Sequence, residues 1–239
     1  MRALVTGAAV RVGRAIALEL AASGFDLVLH YRRSDAAVRE VAAACEARGV
    51  RVELVHADLA SVHALEELVR TVLRGAPTLD LLVNNASAYE AVPFEAITPA
   101  VWDEMMAVNA RAPFLLSQGL LPALRAARGL VVHLVDIGAQ RPPAGYAHYS
   151  MSKAALAMLV RAMAVELAPE VRTVGISPGQ VAWPPDYDEQ TRARLAARIP
   201  LQRVGTPEDI ARLVRFLATE APYIHGEIIA VDGGLSSRY

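Results

Sequence analysis

Lysine is all but missing from this chain. Of its 239 residues 24 are basic, and Lys153 is the single one that is not arginine. Arginine stays charged near neutral pH and is forked, so it cannot share a proton. A compact ammonium can, and it can shift the pKa of a neighbour. Cysteine is as scarce. Cys45 stands alone, which excludes a disulfide within the chain, and its Ala-rich surroundings mark it as a small core residue. His30, His56, His63, His133, His148 and His225 lack metal-ligand spacing, so no metal is expected. Aromatics make up only 5% against 54% hydrophobic residues, so the core is built of Ala, Val and Leu. The net charge of −1, with no long run of one sign, argues against nucleic acid and membrane surfaces as partners. No stretch of about 18 apolar residues exists, and the chain opens directly into MRALVTG. Neither a membrane span nor a signal peptide is expected, and the expected location is the cytoplasm.

What is present is an alternation of strands and helices. Apolar runs predict strands at Arg2–Thr6, Phe25–His30, Val50–His56, Leu79–Val83, Leu130–Val135, Val171–Ile176 and Glu227–Val231. Helical spacing predicts helices over Arg14–Ala22, Asp35–Arg48, about Ser61–Leu73, about Pro99–Ala126 with a shift near Asn109, and about Tyr149–Leu167. Ser23-Gly24 and Gly49 read as stops. Thr206-Pro207-Glu208-Asp209 reads as a start, with Thr as N-cap and Pro in the first turn. Nearly continuous apolar strands that alternate with helices mean a parallel sheet covered on both faces. The expected fold is α/β, a Rossmann-type doubly wound parallel sheet of about seven strands. No linker or repeat divides it, so a single domain over 1–239 is expected.

The first strand meets Thr6-Gly7 at once, and Gly13 opens the helix that follows. A strand, two glycines and a helix make a place for a dinucleotide pyrophosphate: the backbone can come close, and the helix N-terminus favours an anion. A plain turn would look the same. Arg11 and Val12 stand in this loop, and the cation at position 11 can meet a phosphate. The second strand ends in His30-Tyr31-Arg32-Arg33-Ser34, where an NAD site carries an acid. Guanidinium groups and a hydroxyl suit a 2′-phosphate instead, so the expected cofactor is NADPH/NADP+. The other reading of this stretch is a solvated loop. Asp35 reads as the N-cap of the next helix. Asp58 suits an adenine amino group, with Leu59 packing on the ring; the alternative for Asp58 is a helix-start acid. Asn85, Ala86 and Ser87 close the fourth strand at the crevice. Lys153 follows Tyr149 by one helical turn on the same face, which reads as a tuned acid/base pair or as a surface lysine beside a packed tyrosine.

Thr6-Gly7-x5-Gly13, Asp58, Asn84-Asn85-Ala86, Asn109, Tyr149-x3-Lys153, Pro178-Gly179 and Asp232-Gly233-Gly234 together resemble the short-chain dehydrogenase/reductase family over essentially the full length. The resemblance implies that Tyr149 donates a proton and that Lys153 holds the nicotinamide ribose and lowers the tyrosine pKa. It implies that Asn109 positions Lys153 through a water, that Pro178 and Gly179 line the cofactor, and that the protein is a homotetramer. Two departures stand out. Asp136 occupies the place, thirteen before the tyrosine, where the family usually has Ser, and Arg11 replaces the middle glycine. Both are similar to the pteridine reductase branch, which includes the bacterial dihydromonapterin reductases.

The branch implies a pterin substrate, with Tyr89 stacking on its flat ring. Expected substrate contacts are Arg11, Ser87, Tyr89, Asp136, Tyr149 and Trp183. Trp183 belongs to the loop and helix Gln180–Arg198 expected over the substrate, and either touches it or packs that lid. Reduction of a C=N bond needs a proton at nitrogen, which Asp136 beside Tyr149 can relay, whereas an ionised carboxylate opposes a ketone's developing oxyanion. Asp136 read locally is a residue bonding nearby backbone. A carbonyl reductase of the 3-oxoacyl-carrier-protein or sugar type is the second reading. A nucleotide-binding regulator without turnover is the third, disfavoured by the Asn109, Tyr149 and Lys153 set.

Overall fold

The computed structural model describes residues 1–182 and 188–237. Its strands are β1 (Arg2–Val5), β2 (Asp26–Tyr31), β3 (Val52–His56), β4 (Leu81–Asn84), β5 (Leu130–Leu134), β6 (Arg172–Pro178) and β7 (Ile228–Val231). All pair in parallel in one sheet, in the order β3-β2-β1-β4-β5-β6-β7. The strand order reverses between β1 and β4. At such a switch point a crevice opens outside the carboxyl ends of the strands. This is the expected doubly wound α/β fold.

The helices are α1 (Arg11–Ala22), α2 (Asp35–Glu46), α3 (Val62–Gly75), α4 (Pro99–Met106), α5 (Ala112–Gly119), α6 (Leu121–Ala127), α7 (Ala147–Glu166), α8 (Glu189–Ala196) and α9 (Pro207–Thr219). Strand residues alternate between two cores. Ala3, Val5, Leu27 and Leu29 pack with Ile16 and Leu20 of α1, Val38 of α2 and Val214 of α9. Leu4, Val28 and Leu82 face the other way, against Leu65 and Leu68 of α3, Leu116 of α5 and Leu124 of α6. Each such buried Leu or Ile stabilises by roughly 2 kcal/mol. Among the described residues no helix is long and apolar enough to cross a membrane.

Some boundaries depart from the sequence expectation. The long helix of 99–126 is not one helix. A π-helical turn, Ala107–Arg111, sits at the expected shift, and Pro122 opens a separate α6. Asp35 is the first residue of α2 rather than its cap; Ser34 holds the cap position without a side-chain bond. There the Asp35 carboxylate accepts from Tyr31 Oη at 2.8 Å and from Arg39. The start at Thr206 is as expected, a full capping box with Asp209.

Candidate active site

The loop after β1 is assembled by side chains pointing inward. Thr6 Oγ1 donates to the Val83 carbonyl at 3.2 Å and accepts from the amides of Asn85 and Ala86 at 2.9 and 3.0 Å. Asn85 Nδ2 donates to the carbonyls of Thr6 and Gly7. These bonds tie the ends of β1 and β4 together. Gly13 is required by space alone, since a Cβ there would lie 2.1 Å from the Gly7 carbonyl oxygen. The result is an open backbone cradle at the N-terminus of a twelve-residue helix, α1. Arg11 is exposed above it, in a left-handed conformation with φ +50°. Its guanidinium donates to the Val181 carbonyl at 3.3 Å, and Val12 packs partly into the core.

The expected phosphate segment divides in two. His30 is buried beneath the loop rather than turned toward a ligand. Its Nδ1 accepts from the Gly7 amide at 3.1 Å, and Nε2 lies 3.1 Å from the Ala57 carbonyl. Burial pushes its pKa down to about 4, so the ring is neutral and acts as a brace. Tyr31, Arg32, Arg33 and Ser34 together with Gly7 line a cavity of about 240 Å³. Arg32 pairs with Asp58 at 2.9 Å and with Glu104 of α4 at 3.6 Å. Leu59 is buried in the core cluster and offers no open face to an adenine, contrary to expectation.

At the other end of the crevice Asp136, Tyr149 and Lys153 meet. Tyr149 and Lys153 lie one turn apart on α7, and Asp136 follows β5. Tyr149 Oη donates to Asp136 Oδ2 at 3.0 Å, while Asp136 Oδ1 accepts from the Gly138 amide at 2.7 Å. Both readings of Asp136 therefore hold at once: one oxygen caps local backbone, the other holds the tyrosine. Burial pushes the Asp136 carboxyl above the usual range. Burial, then the charge and hydrogen bond of Asp136, push the Tyr149 phenol well above its ordinary value. Lys153 is buried, donates to the Leu134 carbonyl at 2.8 Å and lies 5.8 Å over the Tyr149 ring. Burial lowers its pKa to about 8. The structure thus holds the phenol neutral; the expected lowering of the tyrosine pKa by Lys153 is overridden by burial and Asp136.

Asn109 lies in the π-helical turn, fully buried. Its amide nitrogen donates to the Ala88 carbonyl and to Ser152 Oγ, at 2.9 and 3.0 Å; its oxygen accepts from Ser87 Oγ and the Ala88 amide. Ser152 Oγ in turn donates to the Tyr149 carbonyl at 2.6 Å. So Asn109 clamps the loop after β4 onto α7, and Ser87 is part of that clamp.

Tyr89 is 62% exposed. One of its faces stacks on Tyr146 at 4.7 Å, and it meets Tyr149 edge-on at 4.8 Å. Tyr146 is the residue that sequence reasoning missed. It stands at the N-cap of α7, three residues before Tyr149, and that closeness in the chain was the available signal. Pro178 ends β6, and Gly179 lies against Asp232, whose carboxylate accepts from the Gly234 and Ser236 amides. Trp183 lies outside the described residues.

Comparison with known proteins agrees with this geometry. A family model described as "Enoyl-(Acyl carrier protein) reductase" matches residues 7–236. A 3-oxoacyl-[acyl-carrier-protein] reductase of Synechocystis is 33% identical over 238 residues, covering 98% of this chain and 96% of that one. The human dehydrogenase/reductase SDR family member 4 is 32% identical, covering 99% and 87%. A short-chain dehydrogenase/reductase from Serratia marcescens superposes with a TM-score of 0.92 at 34% identity, covering 98% and 97%. Whole-length similarity and a shared architecture converge on one assignment: the chain is an oxidoreductase of the short-chain dehydrogenase/reductase family.

Proposed function

We propose that this enzyme is an NADPH-dependent reductase of pterins, converting a dihydropterin C=N bond to the tetrahydro form. The observation that carries the reading is the 3.0 Å bond between Tyr149 Oη and Asp136. A carbonyl reductase builds negative charge on a substrate oxygen beside the tyrosine, and a carboxylate there opposes it. A C=N bond takes its proton at nitrogen, where an acid pair is an advantage.

The cofactor fits the chain. The Gly7–Gly13 cradle and the N-terminus of α1 suit a pyrophosphate, and Arg33 and Ser34 suit a 2′-phosphate. Lys153 would hold the nicotinamide ribose. The bound cofactor supplies the hydride. Tyr149, kept neutral by burial, holds the proton to be given, and Asp136, bonded to its hydroxyl, is a second titrating group for the relay. Asn109 keeps the α7 backbone and the loop carrying Tyr89 in register, and would link to Lys153 through a water if the family's arrangement holds here. The exposed part of the Tyr89 ring would take one face of a flat substrate, and Arg11 would border it. The assembly we propose is a homotetramer.

The second reading is carbonyl reduction. It is supported by the names of relatives such as the Synechocystis 3-oxoacyl-[acyl-carrier-protein] reductase, which favour it over pterin reduction. One experiment separates the two. Oxidation of NADPH is followed with dihydrobiopterin, dihydrofolate and an acetoacetyl thioester. Turnover on a pterin, lowered by roughly 10²–10⁴-fold in Asp136→Ser, supports the first reading. Turnover on the thioester alone overturns it in favour of the second.

A further inference from the structure

Arg32 joins three elements that are far apart in the chain. It stands just past the end of β2; Asp58 follows β3, and Glu104 lies in α4. Its Nη2 is 2.9 Å from Asp58 Oδ2 and its Nη1 is 3.6 Å from Glu104 Oε1. Its backbone is pinned as well, since the Arg32 carbonyl lies 2.9 Å from His56 Nε2, and the His56 ring packs edge-on against Tyr31. Exposed ion pairs of this kind add only about 0–1 kcal/mol to stability. With the three side chains 38%, 40% and 58% exposed, stability does not explain the arrangement. Its place does. The strand order puts the ends of β2 and β3 on the nucleoside side of the crevice, and α4 follows β4 on the opposite wall. The Arg32 guanidinium therefore bridges the two sides of the switch point, at the end of the crevice where the dinucleotide reading puts the adenine.

Charge then separates the two arginines. Arg32 already faces two carboxylates, so a 2′-phosphate brought to it would meet a net negative neighbourhood. Arg33, beside it on the cavity wall, is exposed and has no carboxylate partner among the described residues. We propose that Glu104 is a positioning residue for cofactor binding. With Asp58 it holds the Arg32 guanidinium as a clasp over the adenine ring, and leaves the 2′-phosphate to Arg33. A guanidinium is planar and weakly hydrated, so held flat it stacks on an aromatic ring. The adenine is common to NADPH and NADH, and the phosphate is not. The proposal rests on the dinucleotide reading above and corrects the expectation that both arginines serve the phosphate.

The test is equilibrium binding of NADPH and NADH to the full chain, by calorimetry or quenching of protein fluorescence. Glu104→Gln is expected to weaken both by the same factor, about twofold to fivefold, the range of an exposed ion pair. Arg32→Gln weakens both further, and Glu104→Gln then adds nothing in the Arg32→Gln background. Arg33→Gln weakens NADPH alone, by about 10- to 100-fold. Circular dichroism of each variant checks that the fold is intact, and Glu104→Asp keeps the charge and is expected to restore part of the loss. Tighter NADPH binding in Glu104→Gln would make Arg32 a phosphate ligand and overturn the proposal, as would unchanged affinity for both cofactors. A wild type that prefers NADH removes the 2′-phosphate reading but leaves the clasp to be judged on NADH. A wild type that binds neither removes both.

Discussion

Lys153 is the residue whose cost to the fold is easiest to measure. It is the chain's one lysine, it is buried, and its ammonium bonds the Leu134 carbonyl. Burial lowers its pKa from 10.5 to about 8. Between those values the unfolded chain carries a proton that the folded chain has released. Stability of the cofactor-free protein therefore rises with pH across that window, and below pH 8 the penalty of the buried charge is present in full. Lys153→Met removes this dependence. Urea unfolding at pH 8 and at pH 10.5 should show the stability difference moving in favour of the wild type by up to about 3 kcal/mol. A constant difference would mean that Lys153 titrates in the fold as it does in the open chain. A buried arginine in its place could not shed its charge in this way.

Between elements, the cradle depends on how closely α1 approaches the end of β1. Gly13→Ala places a Cβ 2.1 Å from a backbone carbonyl oxygen, and backbone there cannot yield cheaply. We expect a loss of about 1–3 kcal/mol in stability and at least tenfold weaker NADPH binding, read by thermal unfolding and by titration. Gly24→Ala is the control. Gly24 has φ +80° with open space around it, so the strain costs about 1 kcal/mol while binding is kept. A G13A variant that binds as well as G24A would show that the loop moves freely and that the cradle is not preformed. The strands, the cradle and the joining of Asp136 to Tyr149 were all readable from the chain, because each rests on local spacing or on strands ending at one edge. What was not readable is which way a side chain turns. His30 and Thr6 sit in binding-motif positions yet face inward as braces, since strand ends alternate faces. Leu59 likewise belongs to the core. Tyr146 and Glu104 carried no motif; their meaning comes from partners, Tyr89 and Arg32, that only the folded chain brings near. The break before α6 was hidden because apolar spacing runs on through Pro122, and proline in a first turn is compatible with a helix.

For the whole molecule the open question is how many chains assemble. Met151, Met158 and Val165 recur at seven-residue intervals along α7 and are 54%, 59% and 84% exposed. That spacing puts them on one stripe of the helix, in a chain whose other large side chains of this kind are mostly buried. The same helix carries Tyr149 and Lys153 on its inner side. A partner helix against the stripe would therefore stiffen the wall on which the proton donor is mounted. The proposed homotetramer makes this a measurable matter. Light scattering on the wild type should give four chains of 25.6 kDa each. The double variant Met158→Glu, Val165→Glu puts like charges where two stripes would meet, and should run as a smaller species with its circular dichroism unchanged. Its Tm should fall with dilution less than that of the wild type, because a dissociated chain no longer gains stability by mass action. A wild type that is monomeric at working concentration would exclude the stripe as an interface, and would leave the holding of Tyr149 to contacts within the chain, the Asp136 bond and the Asn109 clamp on α7.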